Sequence, residues 1–484
     1  MNQLLREHAF DDFPEAQCAS SLSRDGGVTE SIVSERRIGL SASLCFAAAA
    51  IALGHALQIA NGFYDPFAVG WLTAALLLTL GGVLLTRAEP VHANVMNVSL
   101  RAVVVIGVAW QLVSLLMATP AFYLRTADLT LFRAGVCAEA LCIAAGYVRA
   151  SRLDRLWFPA LLTIFAGMGV WIVRESPSPW IDVVTVHRAA ISALVHGRNP
   201  YDILFRNIYG DASFYNPSLA TRTLVTFGYP YPPMSLLGAV PGQLLARDYR
   251  YAELAAILAA AAFIGYTRPD RTSKLAAVLL LTTPRVFFVL EQGWSEPIAL
   301  VLLAATAFCL ARKPACAGWV AGLFAVTKQY LIMAVPLIVR IGSRQASHRL
   351  QFFAQALLAA CAVTLPFVVW RFRPFVDAVV LLQFREPVRI DSLSYLSWAA
   401  RAGWDAGSIY WPITAAASAL VVGLVKTPNT AAGFVASLAL TMFTMFAFGS
   451  KAFCNYYFFV IGALCCALSV GSSYSPPVAA LTRQ

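Results

Sequence analysis

Most of this chain alternates between apolar stretches and short polar loops. A helix needs about 20 mainly apolar residues to cross a hydrocarbon core of about 30 Å. Stretches of that kind recur at 38–60, 67–86, 102–119, 129–148 and 156–173, before a long polar and aromatic loop begins at Arg174. Beyond it come 251–267, 274–290, 296–311, 316–339, 350–370, 409–425, 431–449 and 454–471. The segment 232–246 is apolar but short and broken by proline and glycine, so it is expected as a re-entrant or interfacial helix. The pattern predicts an all-α polytopic membrane protein; the alternating ten-residue segments of a β-barrel do not occur.

Composition strengthens that reading. Of 484 residues 59% are apolar and 13% charged, against about 25% charged in soluble domains, which excludes an ordinary soluble globule. The net charge of +11 does not imply a nucleic-acid partner, because Lys and Arg stand singly or in small groups between apolar runs, the pattern of positive residues on the inner side of a membrane. Arg36 and Arg37, then Arg87 and Arg101, then Arg149, Arg152 and Arg155 flank alternate ends of the first five helices. That pattern puts the N-terminus inside and the long loop outside. The ten cysteines form no CxxC pair and lie mostly in apolar runs, as packing residues.

Lys328 sits in the middle of the run 316–339, where a lysine facing hydrocarbon costs about 2.5–3.5 kcal/mol. Two half-helices meeting at Thr327, Lys328 and Gln329 avoid that cost, giving about fourteen membrane segments with both termini inside. The same reading leaves Arg371, Arg373, Arg385, Arg389 and Arg401 outside, against the charge rule. The expected organisation is a cytoplasmic tail (1–37), a four-helix membrane module (38–148), a larger module (149–471) with outer loop 174–250, and a C-terminal tail (472–484).

Candidate chemistry gathers at the outer ends of these helices. In 180–202, Asp182, Thr185, Arg188, Ser192 and His196 share one helical face, and Val183, Val186, Ala190 and Leu194 another. This is an amphipathic helix stopped by Gly197, followed by an Asn199-Pro200-Tyr201-Asp202 turn. A solvated surface helix whose Asp182 only caps its first turn has the same pattern. Glu291, Trp294, Glu296, Lys328, Lys451, Asn455, Tyr456 and Tyr457 fall on the same face of the membrane. Carboxylates, lysines and tyrosines together suit a reaction on an anionic lipid headgroup, and also ordinary interfacial anchoring. His187 and His196 lack a partner pattern for a metal; no resident cofactor is expected, and a divalent metal is left open. Glu139 and Arg133 read as a buried polar contact.

The order of these short elements is familiar. An early aspartate on a long outer loop, then Gly197-Arg198-Asn199-Pro200-Tyr201-Asp202, then Tyr231-Pro232-Pro233, resembles the GT-C superfamily of integral-membrane glycosyltransferases. The GxNPYD element looks most like glycosyltransferase family 87, which includes polyprenyl-phosphate-mannose-dependent mannosyltransferases. Thr327-Lys328 followed by Pro336 is similar to the element that lipid A aminoarabinose transferases use beside the lipid phosphate, and Glu296-Pro297 to an acidic-Pro element of those enzymes. The resemblance covers about 156–471. Two departures stand out: the family's aspartate usually follows the first membrane helix, and here it follows the fifth; and Glu291-Gln292-Gly293 stands where many members carry Gly-Gln.

The resemblance implies an inverting transferase at the outer face of a bacterial inner membrane, moving a sugar from a polyprenyl-phosphate donor to a lipid or glycan acceptor. Asp182 would be the general base and Lys328 the cation at the departing phosphate. Lys451 and Tyr231 would assist at the donor, and Asn199, Tyr201, Glu291, Glu296 and Tyr456 would contact substrate. A transporter or flippase of a lipid-linked saccharide is the alternative, and would be expected to show paired broken segments and ionisable residues at mid-membrane depth.

Overall fold

With almost no polar side chains inside them, the apolar runs can satisfy their backbone groups in lipid only as helices. The computed structural model describes residues 39–88, 93–147, 153–210, 215–216, 218–343, 348–404 and 410–471. The expected tails 1–37 and 472–484, and with them Arg36, Arg37, Arg149 and Arg152, lie outside the described residues. The first five helices are α1 (Leu40–Ala60), α2 (Pro66–Leu84), α3 (Ala93–Met117), α4 (Thr130–Tyr147) and α5 (Leu153–Glu175). The amphipathic α6 (Asp182–Val195) follows, then a two-residue antiparallel pair, β1 (Phe205–Arg206) with β2 (Leu224–Val225).

The rest is again helical: α7 (Pro233–Ala246), α8 (Arg250–Tyr266), α9 (Arg271–Leu281), α10 (Val286–Gln292), α11 (Glu296–Arg312) and α12 (Pro314–Ala325). A 3₁₀ turn, Gln329–Ala334, leads into α13 (Val335–Ser343) and α14 (Arg349–Trp370). Short pieces α15 (Phe372–Val376), a π turn Asp377–Leu381, α16 (Leu382–Arg385) and α17 (Tyr395–Arg401) precede α18 (Tyr410–Lys426), α19 (Ala431–Ala447) and α20 (Cys454–Gly471). Among the described residues, seven helices are long and apolar enough to cross a membrane, or eight if α9 and α10 count as one bent span. The chain is an all-α polytopic membrane protein.

Three local features position the site. The run 316–339 is broken as its lysine requires: α12 stops at Ala325 and Lys328 is extended (φ −138°, ψ 147°) ahead of the 3₁₀ turn. The run 274–290 is not the single straight helix expected from its pattern. It bends by 55° between α9 and α10, because Pro284 has no N–H to donate and disfavours a helical residue before it. Arg285 then takes a left-handed conformation (φ 69°) and donates to the Thr119 carbonyl at 2.7 Å. The segment 232–246 forms α7, whose 14 residues extend about 21 Å, short of the bilayer core. It folds back on α8 so closely that a Cβ on Gly242 would lie 2.6 Å from Ala252 N.

The four N-terminal helices do not stand apart from the others. α1 packs against α2, α3 and α20, and α2 against α19. At the centre lies α20, 94% buried over its apolar window, while α14 is 22% buried and presents most of its surface outward.

Candidate functional site

The chain turns at Ala60, Met117, Glu175 and Gln292, and enters α20 at Cys454. The loops at these five places converge on one cavity of about 600 Å³, lined among others by Asn61, Tyr123, Asp182, Gln292, Lys451 and Tyr456. Their convergence puts the C-terminal ends of α1, α3 and α5 on one face, the alternation that the sequence predicts. The N-terminal helices therefore supply part of the cavity wall through Asn61, Phe63, Phe122 and Tyr123.

Asp182 opens α6 and points into this cavity. Its Oδ1 accepts from Val183 N at 2.8 Å and Tyr209 Oη at 3.4 Å, and its Oδ2 from Tyr215 Oη at 2.9 Å. A carboxylate has about four acceptor sites, so these three bonds orient the group and leave room for one more donor. Burial, and then the Asp182 charge, raise the pKa of both tyrosines, so both stay protonated as donors. α6 ends as expected: Gly197 is left-handed (φ 69°) and Arg198 N returns to the Ala193 carbonyl at 2.8 Å, a Schellman closure. Neither tyrosine carried a sequence signal, because both lie in the irregular part of the loop.

Two cations share the cavity with Asp182. Arg389 forks onto Asp391 with Nε–Oδ1 2.9 Å and Nη2–Oδ2 2.7 Å, and Lys451 pairs with Glu386. All four line the cavity. Lys451 keeps 27% of its side-chain exposure, yet the protein around it is dense enough that desolvation lowers its pKa, against the pull of Glu386. Arg389 stood out in the sequence only as a breach of the charge rule, and the structure gives it a place at the cavity.

Lys328 does not line the cavity. Its side chain is 3% exposed and its ammonium forms a 2.9 Å ion pair with Glu296, itself 1% exposed, outside hydrogen-bond angles. The Tyr231 ring covers it, 4.1 Å from the Nζ to the ring centroid. Tyr231 is thus a partition, with the cavity on one side and the Lys328–Glu296 pair on the other. Lys328 and Glu296, both expected at the substrate, are thus in contact with each other. Ser235 Oγ donates to the Thr327 carbonyl at 2.6 Å and Gln329 Nε2 donates to the Pro230 carbonyl, tying the helix break to the loop that carries Tyr231. Behind this layer His187 is fully buried, with Nδ1 3.1 Å from the Val183 carbonyl and Nε2 3.0 Å from Tyr229 Oη. Burial, with a further push from Lys328, lowers its pKa to about 3. His196 is exposed at the end of α6.

Three other residues expected at the substrate make hydrogen bonds within the scaffold. Asn199 Oδ1 accepts from Tyr201 N at 2.8 Å, closing the expected turn, and buried Tyr201 donates to the Tyr231 carbonyl at 3.0 Å. Here Gly228 is essential, since a Cβ would lie 2.0 Å from the Tyr201 carbonyl oxygen. The buried Glu291 carboxylate accepts from Phe122 N at 2.7 Å and Tyr123 N at 2.6 Å, fixing the α3–α4 loop where it lines the cavity. Tyr456 does line the cavity. Arg250, fully buried, joins Asp248 at 2.7 Å and the Glu291 carbonyl at 3.2 Å, and Asp248 also holds Arg188 at 3.1 Å. This clasp between α6, α8 and α10 was not legible as a motif.

Among the described residues no group of three or more His, Cys, Asp or Glu is arranged to hold a metal ion. Comparison with protein-family models, with curated proteins and with solved structures finds no match to this chain.

Proposed function

We propose that this chain is an inverting glycosyltransferase that takes a sugar from a polyprenyl-phosphate donor and passes it to a lipid or glycan hydroxyl. The observation that carries the reading is one cavity holding an oriented carboxylate, Asp182, with two cations, Arg389 and Lys451. In this reading the acceptor oxygen bonds to the anomeric carbon as its proton passes to Asp182. The bond from that carbon to the phosphate oxygen breaks, and its electron pair leaves with the lipid phosphate. A positioned carboxylate contributes about 10²–10⁴ in rate as general base, and cations fixed at the leaving group stabilise charge as it develops. The phosphate-binding role passes from Lys328 to Arg389 and Lys451. The GT-C resemblance of the sequence supports the reading, as does the position of the cavity at the ends of membrane helices. It carries with it about fourteen membrane segments and a cavity open to the periplasm or exterior of a bacterial inner membrane.

A transporter would share one feature, the two interrupted helices α9–α10 and α12 with its 3₁₀ turn. The test is transfer of labelled sugar from a panel of polyprenyl-phosphate sugars in membranes holding wild type or Asp182→Asn at matched abundance. Transfer by wild type that is lost in the variant is expected. Equal transfer by both removes Asp182 as base, and movement of the lipid-linked sugar across the membrane without transfer replaces the enzyme with a transporter.

A further inference from the structure

Two amides on the cavity wall, Asn61 half-buried and Asn455 buried, are used by neither the chemistry above nor the scaffold. Asn61 caps α1 in a left-handed conformation (φ 54°), one that asparagine tolerates better than most side chains. Asn455, 5% exposed, lies in the first turn of α20. Both line the cavity, and the Oδ1 of each is buried without a hydrogen-bond partner. Buried side-chain acceptors are normally paired, so two orphans on one wall call for an explanation.

Packing brings the two together. A Cβ on Gly62, the residue after Asn61, would lie 2.2 Å from Cys454 N, the residue before Asn455. The end of α1 and the start of α20 are therefore in backbone contact. The Leu393 amide, within hydrogen-bond distance of both the Gly62 and Ala452 carbonyls at 3.1 Å, locks this junction. The result is a rigid seat carrying two amides on the same cavity as Asp182, Arg389 and Lys451. The terminal torsion of asparagine is broad, so a small turn presents each amide to a ligand. Each amide both donates and accepts, the capacity that suits vicinal sugar hydroxyls and not a phosphate, which at neutral pH mainly accepts.

We propose that Asn61 and Asn455 form a hydroxyl-reading pair that selects the sugar of the lipid-linked donor, so that the N-terminal helices serve as a specificity wall. The inference rests on reading the cavity as a lipid-linked-sugar site. A site built to hydrogen-bond a hydroxyl discriminates strongly against ligands that leave its polar groups unpaired, and the orphaned oxygens are what the correct sugar would satisfy.

The experiment measures binding of decaprenyl phosphate and of its mannosyl, glucosyl and galactosyl derivatives to the purified full-length chain. Wild type, Asn61→Ala and Asn455→Ala are compared. The sugar lipid that wild type binds best is expected to bind each variant about five- to tenfold more weakly, while bare decaprenyl phosphate binds all three alike. Binding of the bare lipid also certifies that a variant is folded; where alanine prevents folding, Asn61→Ser or Asn455→Ser is read the same way. Variants that bind the sugar lipids as wild type does overturn the inference, and so does a wild type that binds sugar-bearing and bare lipid equally. A wild type that discriminates sugars in binding but transfers none overturns the proposed reaction and leaves the amide pair standing.

Discussion

Two charged layers lie one behind the other, separated by the Tyr231 ring. In the outer layer Asp182, Arg389 and Lys451 face a cavity, and each keeps part of its surface exposed. In the inner layer Lys328 and Glu296 are 3% and 1% exposed and touch each other. The residue types are the same and the consequences differ. A charge that still meets solvent or ligand can bind and exchange protons, whereas a sealed pair has already spent its attraction on offsetting its own desolvation. The inner layer therefore positions Tyr231 and the helix break, and the outer layer is where a substrate can be recognised.

The largest expected effect tests the outer layer. Asp182→Asn keeps the shape and removes the proposed base, and sugar transfer is expected to fall by about 10²–10⁴ at unchanged protein abundance. An effect below tenfold would mean that the orienting bonds from Tyr209 and Tyr215 serve structure only.

The next tests the inner layer by stability. Lys328→Met leaves Glu296 as an uncompensated buried charge, at a cost of about 3–5 kcal/mol, read as a lowered thermal midpoint in detergent. The double variant Lys328→Met with Glu296→Gln is expected to recover most of that loss. If Lys328 instead bound the donor phosphate, the single variant would keep its midpoint and lose donor affinity.

A smaller effect separates the layers by pH. Because burial lowers the Lys451 pKa, its charge, and with it the proposed donor binding, is expected to be lost as pH rises at a lower pH than for an exposed lysine. Lys451→Arg is expected to move that loss to higher pH, since arginine stays protonated above pH 12. A profile identical in both proteins would take Lys451 out of donor binding.

The smallest effect concerns His187, behind the partition. Its ordinary pKa is 6.5 and its folded value about 3, so the fold favours the neutral ring. Its contribution to stability is complete above about pH 6.5 and declines as pH falls from there toward 3. Thermal midpoints measured from pH 7 down to pH 4 are expected to decline less steeply in His187→Gln than in wild type. Equal slopes would mean that other groups govern acid stability.

Particular residues mark what could be read in advance. The helices were legible because apolar runs in lipid have no other way to satisfy their backbone, and the break at Lys328 because a lysine inside such a run is costly. The α6 stop at Gly197 and the Asn199–Asp202 turn were legible from local backbone chemistry. The bend at Pro284 was also written locally, and the apolar continuity of 274–290 concealed it. Asp182 was singled out at the start of an amphipathic helix and lines the cavity, but beside Val183 and Val186 and not beside Thr185 and Arg188, which were expected to share its face; Tyr209, Tyr215, Arg389, Asn61 and Asp248 were not recognised as site residues, since each acquires meaning only from partners far along the chain.

The sequence alone determined that this is a helical membrane protein, where most of its segments begin and end, and which residues could not face lipid. Those properties follow from transfer energies and local backbone preferences, which depend on neighbours within a few positions. Only the tertiary structure decided that Lys328 meets Glu296, that Glu291 holds a loop, that Arg389 joins Asp182 at one cavity, and that the end of α1 completes its wall. Charge is visible in a sequence, but what neutralises it depends on which loops converge, and that is set by packing between helices hundreds of residues apart.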